Sequence, residues 1–135
     1  MRVIRGRHNI RGQDQDCVIT IGNFDGVHLG HQAILRKVKR VSEELACPSL
    51  LICFEPQPKE FFESFQAPAR LTRFREKVKQ LSLAGLDRLL CLQFNAKTRG
   101  MSVEDFIALL TEDLKVKALF VGDDFKFGAD RQGDF

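Results

Sequence analysis

Gly22-Asn23-Phe24-Asp25-Gly26-Val27-His28-Leu29-Gly30-His31-Gln32 is the stretch on which the reading of this chain turns. It follows the β-branched run Val18-Ile19-Thr20-Ile21, which reads as a buried strand, and it leads into a helical repeat of Ile34, Leu35, Val38, Val41 and Leu45. The stretch is therefore a loop between a strand and a helix N-terminus. The unpaired amides of such a helix carry roughly half a positive charge, and in an α/β sheet they point at the crevice above the strand ends. A phosphate is the natural guest. Gly22, Gly26 and Gly30 let the backbone turn and come close to a ligand. His28 and His31 are three apart, a spacing that puts two imidazoles on the same side of the first helical turn. Each can donate a hydrogen bond to a phosphate oxygen, and protonation adds positive charge where a transition state gathers negative charge.

Plainer readings stand beside this one. A glycine-rich loop alone is weak evidence, and a single histidine is more often a satisfied surface or core residue; it is their joint placement at a strand-to-helix turn that points to chemistry. Histidines three apart also suit a metal, but only Asp25 stands near to complete a ligand set, so phosphate is preferred to zinc and no protein-held metal is expected. Asp25 itself reads as a turn-former, since its charge beside a polyphosphate is unfavourable unless Mg²⁺ lies between them.

Composition narrows the class. A chain of 135 residues, 44% hydrophobic and 29% charged, suits one domain with a real core and leaves no room for two. A net charge of +3 and the absence of Trp and Tyr argue against a dedicated nucleic-acid binder. The run Arg36-Lys37-Val38-Lys39-Arg40 reads as the solvated face of the first helix with Val38 turned inward. Cys17, Cys47, Cys53 and Cys91 form no Cys-x-x-Cys pair and read as small buried hydrophobes in a reducing compartment. With no signal-peptide pattern and no membrane-spanning apolar run, the expected location is cytoplasmic, with no membrane partner.

Along the chain, Arg2-Val3-Ile4-Arg5 is a candidate edge strand, and Gly6 to Asp16 is polar and turn-like. After the strand at Cys17–Ile21 and the helix from Gly30 to Leu45, stopped by Cys47-Pro48, comes an apolar strand, Ser49 to Phe54, of the kind that is covered on both faces. The prolines of Glu55-Pro56-Gln57-Pro58 stiffen the turn that follows. A looser region from Lys59 to Arg70 precedes a helix on Leu71, Phe74, Val78 and Leu81 that ends at Gly85. A strand at Asp87–Phe94 leads to a helix capped by Ser102 and Asp105, with Val103, Phe106, Ile107, Leu110 and Leu114 as its buried stripe. The last strand is Lys117–Val121, and Gly122-Asp123-Asp124-Phe125-Lys126-Phe127-Gly128 is a loop. Alternation of strand and helix predicts an α/β fold, a Rossmann-like parallel sheet with helices on both faces. Three informative loops would then share the strand C-termini, where such sheets bind ligands. No amphipathic segment follows Val121, so part of the sheet is expected to stay uncovered.

His28-Leu29-Gly30-His31 after a strand resembles the His-x-Gly-His signature of the nucleotidyltransferases. The longer form resembles that of the bacterial riboflavin kinase/FMN adenylyltransferase family, the FAD synthetases. Phe54-Glu55-Pro56-Gln57-Pro58 is similar to that family's Phe-x-Pro-x-Pro segment, and Val121 to Gly128 with Arg131-Gln132-Gly133-Asp134 is similar to its Gly-x-(Asp/Asn)-Phe-x-Phe-Gly segment. Ala67 to Thr72 and Glu76-Lys77 match as well. The resemblance implies transfer of the adenylyl group of ATP to FMN, giving FAD and pyrophosphate, with Mg²⁺ held mainly by the ATP phosphates. It implies catalytic roles for His28 and His31, nucleotide binding by Gly22, Asn23, Phe24, Asp25, Gly26 and Gly30, and flavin binding by Phe54, Pro56, Pro58, Asp124, Phe125 and Phe127. Rigid apolar walls with a few aimed polar groups suit a flat isoalloxazine ring, although each phenylalanine taken singly reads equally well as core. The family's Ile-Ser-Ser-Thr-x-x-Arg segment and its riboflavin kinase domain are not found in residues 1–135. The expectation is an adenylyltransferase domain incomplete at its C-terminus; the alternatives are a noncatalytic nucleotide- or flavin-binding module, and a related nucleotidyltransferase with another substrate.

Overall fold

The structure, a computed structural model, describes residues 1–22, 29–55, 67–93, 103–121, 126–127 and 133–134, some of them at the element ends by their backbone alone. Five parallel strands form the main sheet: β1 (Arg2–Arg5), β2 (Val18–Ile21), β3 (Ser49–Glu55), β4 (Arg88–Gln93) and β5 (Ala118–Val121), in the order β1-β4-β3-β2-β5. Helices α1 (Leu29–Leu45), α2 (Ala67–Leu83) and α3 (Val103–Ala108) make the crossovers, and a π-helical turn (Leu109–Asp113) extends α3. The expected α/β parallel sheet is what the chain forms.

Two apolar layers sandwich the sheet, which is why β2 and β3 read as continuous hydrophobic runs. On one face Leu51, Cys53, Leu89 and Cys91 pack under Leu35 of α1 and Leu81 of α2, with Phe74 and Val78 alongside. On the other, Ile19, Ile21, Leu50, Ile52, Leu90 and Leu92 pack under Phe106, Leu109, Leu110 and Leu114. Cys17, Cys53 and Cys91 are buried and unbridged, as a small-hydrophobe reading requires, whereas Cys47, just past the end of α1, is only half-buried. Burial pushes the Cys17 thiol up to about 12.

The strand starts are fixed by polar contacts. Ser49 Oγ donates to Asp87 Oδ2 at 3.1 Å and accepts from the Asp87 backbone N–H at 3.0 Å, which aligns β3 with β4. Asp14, fully buried, joins the edge strand to the rest: Oδ1 accepts from Arg2 and, at 3.1 Å, from Arg88 Nε, and Oδ2 accepts from the Arg11 N–H at 2.9 Å. Burial raises the Asp14 carboxyl, but the Arg2 guanidinium, the Arg11 N–H and Arg88 together outweigh it and hold the group below the ordinary aspartate value.

Several boundaries differ from the sequence reading. Helix α2 starts at Ala67, inside the stretch read as loose, because Pro68 fits a first helical turn, where its missing N–H costs nothing. Ile107, assigned to the buried stripe, is 49% exposed, while Leu109 is buried. Past it the helix widens into the π turn, where the Leu114 N–H bonds Leu109 O at 3.0 Å, and the inward face is made by Phe106, Leu109, Leu110 and Leu114. The Gly122–Gly128 loop contains a two-residue strand, β6 (Lys126–Phe127), paired antiparallel with β7 (Gly133–Asp134). All four β5 residues are half-buried. The Ser102 cap lies outside the described residues.

Candidate active site

Strand order decides where a ligand fits. From β2 the chain steps to β3 and then β4 in one direction, and it crosses back to place β5 on the other side of β2. The direction of winding reverses between β2 and β5, and a crevice opens at the carboxyl ends of strands at such a reversal. The three loops singled out from the sequence follow β2, β3 and β5, which are adjacent in the sheet in the order β3-β2-β5 and all run the same way. They therefore leave one edge side by side.

Helix α1 begins beside this crevice. It starts at Leu29, so Gly30 and His31 occupy its first turn, where backbone amides lack helical acceptors. His31 precedes Leu35 by four residues and Val38 by seven, and both of those are buried against the sheet. That puts His31 at the top of the inward stripe, half-buried, with its Nδ1 shielded from solvent. Gly22 follows β2 with its N–H bonded to Ile52 O at 3.0 Å, so the loop departs from a backbone pinned to β3. Asn23, Phe24, Asp25, Gly26 and His28 lie outside the described residues, as do Pro56, Pro58, Asp124 and Phe125; for Gly30 and Phe127 the backbone alone is described. Phe54 is half-buried and packs against the core that contains Ile52 and Leu92, so in this structure its ring has a packing role.

Sequence reading passed over Thr20. It is fully buried in β2, and its Oγ1 has no hydrogen-bond partner among the described residues. The signal was available, since a hydroxyl two residues before the loop interrupts an otherwise aliphatic strand. Among the described residues no group of three or more His, Cys, Asp or Glu could hold a metal ion. A cleft of about 590 Å³ lies elsewhere, between the turns that follow β1 and the π turn, with Arg7, His8, Arg11, Glu112 and Asp113 in its walls. None of these belongs to the strand-end loops, and Arg7 is already paired with Asp113, so the strand-end crevice is the better candidate.

A model of the FAD synthetase family matches residues 10–135. The chain belongs to the FAD synthetase family. Bifunctional riboflavin kinase/FMN adenylyltransferases of Escherichia coli K12 and Pseudomonas fluorescens are 48% and 50% identical to it over its whole length. That of Haemophilus influenzae is 46% identical. The chain spans about 44% of the length of these curated relatives. Among solved structures, that of a macrolide-efflux protein from Streptococcus pneumoniae superposes with a TM-score of 0.79 at 24% identity, covering 98% of this chain and 52% of that one. This likeness bears on the fold alone, and it supports the parallel α/β architecture of a FAD synthetase domain.

Proposed function

We propose that the chain catalyses transfer of the adenylyl group of ATP to FMN, forming FAD and pyrophosphate. One observation carries the reading: the three family motifs leave adjacent parallel strands at the winding reversal, beside the N-terminus of α1 with His31 in its first turn. In the proposed step an FMN phosphate oxygen attacks the α-phosphorus of ATP while the bond to the departing pyrophosphate breaks. No protein nucleophile is needed, and catalysis consists of alignment and charge stabilisation. His28 and His31 would donate to the ATP phosphates, and the α1 amides would add their partial charge. The motif loop from Gly22 through Asn23, Phe24, Asp25 and Gly26 to Gly30 would carry the nucleotide. Phe54, Pro56, Pro58, Asp124, Phe125 and Phe127 would form the flavin wall. Mg²⁺ would enter with ATP as part of the substrate, held by the phosphates and neutralising the leaving pyrophosphate.

No helix among the described residues is long and apolar enough to cross a membrane, and a cytoplasmic location is proposed. The relatives' names also include riboflavin kinase, but every motif matched here concerns adenylyl transfer, the one activity proposed. The test is mass-spectrometric detection of FAD after incubation with FMN, ATP and Mg²⁺. FAD should accumulate with wild-type protein, and His31→Ala should slow its formation by roughly 10²- to 10³-fold, the scale for losing one transition-state donor. Full rate in His31→Ala would remove that residue from phosphate stabilisation. Binding of both ligands without turnover would favour the noncatalytic module.

A further inference from the structure

We propose that Cys53 and Cys91 form a site of reversible two-electron oxidation, at which a peroxide converts the two thiols to a disulfide across strands β3 and β4. The observation that carries it is a juxtaposition: the two cysteines are register partners in adjacent parallel strands, and Cys53 Sγ lies 3.7 Å from Cys91 Sγ. Both residues are buried, Cys53 completely and Cys91 with 5% of its surface exposed, and both sit in the apolar layer under Leu35 of α1 and Leu81 of α2. Each also takes part in a further interaction; a disulfide depends instead on the approach of the two sulfurs and on the spacing of the strands that carry them.

Geometry favours the bond. Adjacent strands run about 4.8 Å apart, inside the range of roughly 4.4–6.8 Å between Cα atoms that a disulfide spans. Register partners in a parallel sheet project their side chains to the same face, so the backbone need not shift to bring the thiols together. At 3.7 Å the sulfurs are in van der Waals contact, and rotation of the side chains about χ1 closes the remaining gap. Cys17 is no rival for either sulfur, since it lies in the opposite layer with its Sγ bonded to Leu114 O.

Exposure orders the steps. Cys91, the less buried of the two, meets the peroxide first. Its thiolate attacks one oxygen and the O–O bond breaks; the other oxygen leaves as hydroxide and takes up the thiol proton as water, and Cys91 becomes a sulfenic acid. The Cys53 sulfur, already in contact, attacks the sulfenic sulfur. The S–O bond breaks, the S–S bond forms, and the departing hydroxide takes the Cys53 proton as a second water. Two thiols lose two electrons and two protons, and one hydrogen peroxide is reduced to two waters. Burial slows the first step, because the oxidant must reach a covered sulfur. The second step outpaces further oxidation, because another peroxide has to enter whereas the partner thiol is in place. The pair therefore stops at the disulfide, short of the irreversible sulfinic acid, and in a reducing compartment the bond is transient.

The test exposes the folded chain to hydrogen peroxide, unfolds it in urea with iodoacetamide to cap the remaining thiols, and maps its peptides without reduction. The expected product is one linked species joining the Cys53 and Cys91 peptides, two hydrogens lighter than the thiol pair and reversed by dithiothreitol. It should form more slowly than half-buried Cys47 is oxidised. It should form equally in Cys47→Ser, which removes the thiol best exposed to exchange with the pair. Bridged protein should melt about 5–10 °C above reduced protein, because the bond closes a loop across 38 positions. Intact thiols at both positions after an exposure about tenfold beyond that which consumes Cys47, separate sulfinic acids on the two residues, or links from either one to Cys17 or Cys47 overturn the proposal. So does loss of the linked species in Cys47→Ser, which would make the bond a product of exchange, or a bridged product that melts below the reduced protein, which would have formed in opened chains.

Discussion

Replacing Asp14 with alanine isolates what the buried carboxylate contributes. Three donors lose an acceptor: the Arg11 backbone N–H, Arg2 and Arg88. The N–H bond to a carboxylate contributes about 1.5 kcal/mol. The two guanidiniums are 25% exposed and regain water when freed, so each is given roughly 0.5–1 kcal/mol. The expected loss is about 3 kcal/mol at pH 7, roughly a 12 °C fall in melting temperature for a domain of this size. The loss should depend on pH. Because the folded-state pKa of Asp14 is depressed below 3.8, its stabilisation is fully present above the unfolded value and disappears as pH falls through the folded one. Urea titrations of wild type and Asp14→Ala at pH 7, 5, 3 and 2 should show a constant gap at the first two and a closing gap at the last two. A gap under 1 kcal/mol at pH 7, or one that persists at pH 2, would show that the three contacts carry no net stability.

Gly85 closes α2 at φ +90°, where a Cβ would sit 2.9 Å from Lys39 Nζ and 3.1 Å from its Cδ and Cε, so Gly85→Ala should cost about 1–2 kcal/mol in the same titration. A neutral effect would mean that the helix end re-forms differently. Phe106 is fully buried at the centre of its cluster, and Phe106→Ala should cost about 3–5 kcal/mol in melting experiments; a loss near that of a surface change would place the core elsewhere. With its thiol held near 12 by burial, Cys17 should resist iodoacetamide at pH 8 while half-buried Cys47 reacts, as peptide mapping would reveal; equal labelling would contradict the packing at the start of β2.

Much of the fold is legible from local pattern because parallel strands covered on both faces leave an unbroken apolar record. Leu50–Phe54 is an example, and Gly85 marks a helix end because a left-handed turn favours glycine. Strand order is not local. Nothing in Ala118–Val121 says that it will lie beside β2 and not beside β4, and that choice makes the crevice. The π turn was hidden for another reason: one widened turn changes the hydrogen-bond spacing without a residue type that announces it. Ala46 ends α1 in the left-handed region at φ 52°, a place where the pattern leads one to look for glycine or asparagine. At the site, His31 was legible because its spacing to Leu35 and Val38 is the helix period. Thr20 left only a faint signal, a hydroxyl in an otherwise aliphatic strand, and its full burial without a partner among the described residues comes from the structure.

The sheet order also bears on how the chain folds as it is made. Arg2 finds its register partner only at Arg88, so β1 is made well before the strand on which it docks. At 5–20 residues per second the strand waits roughly 4–17 s for its neighbour to be synthesised. During that interval Arg2 and Arg5 keep a short β-forming segment from pairing with other nascent chains, as charges on edge strands do. The arginine that later grips Asp14 thus serves first as a guard against misassembly, and substitutions at Arg2 should reduce the yield of soluble protein more steeply than they reduce the stability of what has already folded.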